Sequence, residues 1–104
     1  MNLTINPDLE AMRQSAGQAA ALLRSVGNEH RLMVLCLLLH QGEMSVGALV
    51  DEVGLSQSAL SQHLARMREE GLVAFRRESQ TVWYRIANPA VARLIATLKD
   101  IYCP

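Results

Sequence analysis

The first half of the chain repeats its hydrophobic positions at helical spacing. Over residues 8–25 apolar and small side chains share one face, and its alanines permit close approach of a second helix. A second helix is predicted from Asn28, a favourable N-cap, and its run 32–39 is apolar nearly all round. Gly27 and Gly42 end these two segments. The pattern therefore predicts a packing helix followed by a central one.

Two shorter helical segments follow, separated by a few residues. Ser45 is positioned to cap a helix over 46–53 whose apolar residues share one face. After Gly54, Ser56 is positioned to cap a fourth helix that stops at Gly71, with apolar residues inward and polar residues outward. Two helices joined by a short turn that contains glycine are typical of a helix-turn-helix.

Beyond Gly71 the period changes from helical to alternating. Residues 72–77 and 81–86 are rich in β-branched and aromatic side chains and flank a polar turn, which predicts a β-hairpin, the wing. Its Trp83 and Tyr84 lie on opposite faces, and we expect one of them in the core. Asn88 and Pro89 then begin a last helix with an apolar stripe. The predicted fold class is mainly α with a small β-hairpin, a single winged helix-turn-helix domain over residues 1–104.

Composition is typical of one globular domain, and the distribution of charge along the chain is uneven. The chain has 104 residues, half of them hydrophobic and 19% charged, with a formal net charge of zero. A neutral chain argues weakly against a nucleic-acid partner. However, residues 55–86 hold five arginines against three acids, whereas 29–54 hold one arginine against four acids. The positive charge is concentrated where the helix-turn-helix and wing are predicted.

Nothing in the sequence pattern indicates a membrane or secreted protein. The apolar run 32–39 is far shorter than the roughly 20 residues that span a bilayer, and residues 1–10 lack the features of a signal peptide. We therefore expect a cytoplasmic location. In that reducing compartment the two cysteines are expected to be thiols, without a lasting disulfide.

The order of these elements resembles the ArsR/SmtB family of bacterial repressors along nearly the whole chain. The matching stretches are NEHRL at 28–32, LSQSALSQHL at 55–64 and EGLV at 70–73. Two further matches, Cys36 in the second helix and the Tyr102-Cys103 pair at the end, make the chain similar to the BigR/SqrR/HlyU branch of that family. That resemblance implies a repressor that responds to persulfides and related oxidants.

The outward face of the fourth helix carries the residues expected to read DNA. Glutamine can pair with adenine in the major groove, and serine can reach a base or a phosphate. His63 follows the family motif but also suits a structural hydrogen bond. Extended side chains beside the hairpin turn can enter the minor groove or contact phosphates. A solvated helix face and a charge-protected edge strand are the alternatives. The predicted DNA-binding residues are Ser56, Gln57, Ser58, Ser61, Gln62, His63, Arg66, Arg76, Arg77 and Gln80.

The two cysteines admit a structural and a functional interpretation. Cys36 alone would be a small buried hydrophobic residue, but Cys103 lies next to the C-terminus and contributes little to a core. In the resembling family the last helix packs near the second, so the resemblance implies that the two sulfurs meet. Cys36 and Cys103 are therefore the predicted redox or sulfur-sensing pair, with a persulfide or another thiol oxidant as inducer. Extra sulfur atoms in a bridge would relax the limit of about 7 Å between the Cα atoms of a disulfide.

Other functions receive less support from the sequence. The third helix has no cysteine and the last helix has only Asp100 as a carboxylate, so both familiar metal sites of the family are missing. A low-coordinate metal site on Cys36, Cys103 and a distant histidine, a repressor without an inducer and a pure protein-interaction module remain open. Ser61 and His63 are two residues apart on a helix and cannot align for catalysis. We predict no enzymatic activity and no cofactor.

Apolar surface remains on the first and last helices once the helix-turn-helix core is filled. We therefore expect a symmetric homodimer built on these two helices. A two-fold dimer presents two recognition helices, so its operator should be an inverted repeat with half-sites roughly 34–36 Å apart.

Overall fold

The computed structural model describes residues 6–104, which form five helices and three strands. In chain order these are α1 (Pro7–Val26), α2 (Glu29–Gln41), β1 (Met44–Ser45), α3 (Val46–Val53), α4 (Gln57–Glu69), β2 (Val73–Glu78), β3 (Thr81–Ile86) and α5 (Pro89–Tyr102). The predicted fold class is confirmed, with each predicted helix and both wing strands in place.

Side-chain caps fix where the helices begin, as the sequence predicts. Asn28 Oδ1 accepts the backbone N–H of Arg31 at 3.1 Å, and Ser45 and Ser56 cap α3 and α4 in the same way. Asn88 Oδ1 accepts the N–H of Ala90 at 2.9 Å at the start of α5. Each cap satisfies a backbone donor that the first helical turn leaves unpaired.

The sheet has three antiparallel strands in the order β1-β3-β2. The predicted hairpin is present, and its turn places Ser79 in the left-handed region with φ 57°. Strand β1 is an addition to the prediction: Met44 pairs with Tyr84 and Ser45 with Trp83. Two residues are too few to show an alternating pattern, so the sequence alone does not reveal this strand.

The core forms around α2, which contacts α3, α5 and the sheet. Val34, Leu35 and Leu38 of α2 are buried together with apolar residues from α3, α4 and α5. Of the two neighbouring aromatic residues, Tyr84 is the core one, 5% exposed, while Trp83 is partly buried. This central position buries or partly buries most of the apolar run of α2, whereas Met33 is 47% exposed.

Helix α1 extends from this core and packs little within the single chain. Val26 is its one buried residue, whereas Met12 and Leu23 are each 58% exposed. At the other end of the chain, Ile101 and Tyr102 of α5 are also exposed. The described chain is elongated, 58 × 31 × 21 Å. Within residues 6–104 no helix has both the length and the hydropathy that crossing a bilayer requires.

Candidate DNA-binding surface and cysteine pocket

Helix α4 exposes two parallel rows of polar side chains. Residues three or four positions apart lie on the same side of a helix, so positions 57, 61 and 68 form one row and 58, 62 and 66 the next. All six side chains are exposed. We call these the groove row (Gln57, Ser61, Arg68) and the crest row (Ser58, Gln62, Arg66).

The groove row faces the wing across an open groove of about 680 Å³. Arg77 and Gln80 of the wing line the same groove as Gln57, Ser61 and Arg68 of α4. Ser45 and Gly47, at the start of α3, also line this groove. The structure thus brings together predicted residues from two separate segments of the chain, and the crest row flanks them toward solvent.

Arg68 also lines this groove, although it is not among the DNA-binding residues predicted from the sequence. Its guanidinium donates a hydrogen bond to the Tyr84 hydroxyl at 3.3 Å and lies 5.1 Å from the centre of the Phe75 ring. The signal that identifies it is its spacing from Ser61, seven residues or two helical turns along the same row. Arg68 therefore adds a positive charge to the lining of the groove.

The two wing arginines lie on opposite faces of β2. Arg77 lines the groove, with its guanidinium 5.8 Å from the centre of the Phe75 ring. Arg76 faces away from the groove, and two of its nitrogens donate to the Glu43 carboxylate, each at 2.8 Å. A third nitrogen donates to Glu78 at 2.8 Å. The hydrogen bonds from Arg76 hold the pKa of Glu43 below its usual range. Arg76 is therefore already paired with two carboxylates.

His63 lies on the side of α4 that faces α2. It is partly buried, and its Nδ1 accepts a hydrogen bond from Arg31 Nε at 3.1 Å. Arg31 also donates to the Ser25 carbonyl at 3.0 Å, and the His30 ring lies 6.0 Å from that of His63. Burial, and then the electrostatic effects of Arg31 and His30, lower the pKa of His63. His63 thus connects the recognition helix to α2 and to the end of α1.

Ser56 is engaged at the start of α4. Its hydroxyl accepts the Ala59 N–H at 3.2 Å and lies 3.3 Å from the Ser58 hydroxyl. Both serines are exposed. The first turn of α4 therefore presents polar groups at its N-terminal end, where helix geometry favours contact with phosphate.

Both cysteines line one pocket of about 360 Å³ between α2 and α5. Leu32 and Cys36 contribute from α2, and Leu98, Lys99, Tyr102 and Cys103 from the end of the chain. Cys36 is partly buried and Cys103 is exposed, and both are free thiols. Burial raises the pKa of Cys36, which Lys99 partly offsets and Cys103 adds to. The expected packing of the last helix on the second is present.

The described residues do not assemble a metal-ligand cluster. Across 6–104, no three side chains of the histidine, cysteine, aspartate and glutamate types come together. The polar groups that line the cysteine pocket are the two thiols, the Lys99 amine and the Tyr102 hydroxyl.

A family model described as "Bacterial regulatory protein, arsR family" matches residues 28–74. The HTH-type transcriptional regulator YgaV of Escherichia coli K12 is 50% identical over 93% of this chain and 98% of its own length. The transcriptional activator HlyU of Vibrio cholerae is 46% identical over 92% of this chain and 88% of its own length.

The fold is shared with solved relatives. Reduced HlyU from Vibrio cholerae superposes with a TM-score of 0.85 at 45% identity, covering 91% of this chain and 99% of that one. The transcriptional repressor BigR from Xylella fastidiosa gives a TM-score of 0.84 at 38% identity, covering 91% and 96%. These relatives are transcriptional regulators with the same winged helix-turn-helix and nearly the same length. The chain therefore belongs to the ArsR family of bacterial transcriptional regulators, DNA-binding proteins without enzymatic function.

Proposed function

We propose that this protein is a cytoplasmic, homodimeric repressor that binds an inverted-repeat operator and releases it when sulfur bridges Cys36 and Cys103. The observation that carries the proposal is that both cysteines line the same pocket, between a core helix and the last helix. BigR, a relative of similar length, is named a repressor, which supports this direction of control. Persulfides and other thiol oxidants are the proposed inducers.

In the proposed complex, α4 reads the major groove and the wing holds the DNA backbone. The exposed crest row and the groove row supply amide, hydroxyl and guanidinium groups suited to base edges and phosphates. Arg77 and Gln80 extend this surface from the wing. We assign Arg76 and His63 supporting roles, because Arg76 is bonded to Glu43 and His63 to Arg31.

The proposed dimer uses α1 and α5 of each copy. Within one chain, α1 leaves Met12 and Leu23 exposed, and the end of α5 leaves Ile101 and Tyr102 exposed. A second copy related by two-fold symmetry would cover these apolar side chains and place two α4 helices on successive turns of DNA.

The switch follows from where the two sulfurs lie. Cys36 lies on α2, one helical turn after Leu32. Arg31, the residue before Leu32, donates a hydrogen bond to His63 and so links α2 to α4. A sulfur bridge from Cys36 to Cys103 would tie α2, and through it α4, to the end of α5 at the proposed dimer interface. The position of both recognition helices would then depend on the state of the sulfurs.

An organic persulfide supplies both the sulfur and the oxidising equivalents. A cysteine thiolate attacks the outer sulfur of the donor, the donor's S–S bond breaks, and the donor leaves as a thiolate. The other cysteine thiolate then attacks the protein-bound persulfide, which gives a disulfide and expels hydrosulfide. When both cysteines carry an extra sulfur, the same attack gives a trisulfide with one hydrosulfide released.

Intact-mass measurement after treatment with an organic persulfide tests this chemistry. Wild type should gain a bridged species that a reductant removes, and neither Cys36→Ser nor Cys103→Ser should form an intramolecular bridge. A wild-type chain that gains no bridged species would refute the two-cysteine switch and leave a metal-responsive or inducer-free regulator.

DNA reading is tested separately with Gln62→Ala, using Gln14→Ala on α1 as the matched control. If Gln62 forms a bidentate pair with a base, its loss should weaken operator binding by about 1–3 kcal/mol and leave random DNA nearly unaffected. Equal losses on operator and random DNA would remove Gln62 from the reading surface.

A further inference from the structure

Lys99 is the sole lysine of the chain, since the other nine of its ten basic residues are arginines. It lies on α5, partly buried, and lines the same pocket as Cys36 and Cys103. The remaining lining residues are Leu32, Leu98 and Tyr102. A compact ammonium group is thus placed in an otherwise apolar pocket beside two thiols.

The charge of Lys99 is not neutralised by a neighbouring acid. Over residues 6–104, the ion pairs present involve Arg13 and Arg76, and none reaches Lys99. No carboxylate lines the pocket, and Asp100, the next residue along α5, is exposed and outside its lining. The ammonium is therefore available to a negative charge that develops within the pocket.

A negative charge develops there whenever Cys36 reacts, because the thiolate is the nucleophilic form of cysteine. Burial opposes that charge and raises the pKa of Cys36, while Lys99 acts in the opposite direction. The ionisable groups facing Cys36 across the pocket are Lys99, Cys103 and the Tyr102 hydroxyl, and Lys99 is the cation among them. The thiolate of Cys36 has no other positive charge in the pocket lining to stabilise it.

We propose that Lys99 is the activating residue of the cysteine pocket: its ammonium stabilises the Cys36 thiolate and sets the rate at which this sulfur attacks a donor. The proposal deepens the sulfur-sensing function above and rests on it. In the step concerned, the Cys36 thiolate forms a bond to the outer sulfur of an organic persulfide, the donor's S–S bond breaks, and its inner sulfur leaves as a thiolate. The same positive charge favours reagents that enter the pocket as anions.

The test measures alkylation of Cys36 alone, in a Cys103→Ser background that removes the second thiol. Alkylation rates with neutral iodoacetamide are recorded from about pH 6 to about pH 10 for the parent, which keeps Lys99, and for its Lys99→Met and Lys99→Arg variants. Arg93→Met, which removes an exposed cation from the same helix outside the pocket lining, is the matched control.

In Lys99→Met the rate profile should move to higher pH. At neutral pH the rate should fall about threefold for each pH unit of that movement, because the greater nucleophilicity of a more basic thiolate offsets part of the lost thiolate fraction. Lys99→Arg and Arg93→Met should keep the parent profile. The rate with iodoacetate, an anion, should fall further in Lys99→Met than the rate with iodoacetamide.

A Lys99→Met profile that coincides with the parent would overturn the proposal. So would equal changes in Lys99→Met and Lys99→Arg with both reagents at every pH, because these would reflect altered packing rather than charge. The assay uses neither DNA nor persulfide, so its failure is distinct from failure of the sulfur switch, which the single-cysteine variants report.

Discussion

At the scale of single residues, strand alternation separates two arginines that are neighbours in sequence. Successive side chains of a strand point to opposite faces, so Arg77 lines the groove beside α4 while Arg76 bonds Glu43 and Glu78. The sequence placed both arginines at the wing but could not show which had a carboxylate partner, because Glu43 lies 33 residues before Arg76. Of these two arginines, Arg77 is therefore the one that supplies positive charge to the groove face of the wing.

We predict that Arg77→Gln weakens binding to operator and random DNA alike and reduces the slope of log affinity against log salt by about 1, the effect of losing one phosphate contact. Arg76→Gln, the matched variant on the other face, should leave that slope unchanged. Titrations at several salt concentrations measure both. A lower slope for Arg76→Gln would restore Arg76 as a phosphate contact.

The partly buried position of His63, and then its closeness to Arg31 and His30, give the fold a pH-dependent contribution to its stability. The pKa of His63 is lowered in the folded chain, so the unfolded chain takes up this proton at a higher pH than the folded one. The stabilising contribution is therefore fully present at pH values above the ordinary histidine pKa of about 6.5. It is lost as the pH falls from there toward the lower pKa that His63 has in the folded chain.

We predict that His63→Asn, whose side-chain oxygen can accept the Arg31 hydrogen bond without titrating, removes this contribution. Urea unfolding at one protein concentration should show the free energy of unfolding of wild type falling more than that of His63→Asn between about pH 7.5 and about pH 5.5. Parallel pH dependences for the two proteins would contradict the role given to His63.

At the scale of elements, the sequence predicted the helices and the wing because each has strong local signals. The predicted segment 46–53 coincides with α3, and Asn28, Ser45, Ser56 and Asn88 are the caps of their helices. Strand β1 was missed because two residues carry no period. The contacts of α1 could not be predicted, since its apolar side chains find few partners within one chain.

The exposed face of α1 yields a prediction about assembly. Leu23→Lys should shift the protein toward monomer, because it places a charge among the apolar side chains that a second copy would cover. Gln14→Lys is the matched control, since nine residues of helix turn it to the face opposite Leu23. Sedimentation at micromolar concentration distinguishes the two. A wild type that sediments as a monomer, or a Leu23→Lys variant that still dimerises as wild type does, would reject α1 as an interface.

At the scale of the whole molecule, the informative contacts join residues far apart in sequence. Cys36 and Cys103 line the same pocket although they are far apart in the sequence, and Lys99 lies beside them. Helical periodicity predicts which segment of the chain each of these residues belongs to, but it does not predict which helices pack together. The approach of the last helix to the second was implied by resemblance to a family, and the place of Lys99 emerged with the structure.

We propose that the chemical state of this pocket controls how tightly the proposed dimer holds DNA. A bridge that favours a dimer with displaced recognition helices would lower operator affinity through a coupling of about 1–3 kcal/mol, or about 5- to 150-fold. The loss should reverse when a reductant opens the bridge.

The most direct test is a titration of operator DNA with wild type, Cys36→Ser and Cys103→Ser, each before and after treatment with an organic persulfide. After treatment, wild type should bind operator DNA about 5- to 150-fold more weakly, and both single variants should bind as they did before treatment. If bridged wild type binds with unchanged affinity, or if either variant also releases DNA, the cysteine pocket is not the switch.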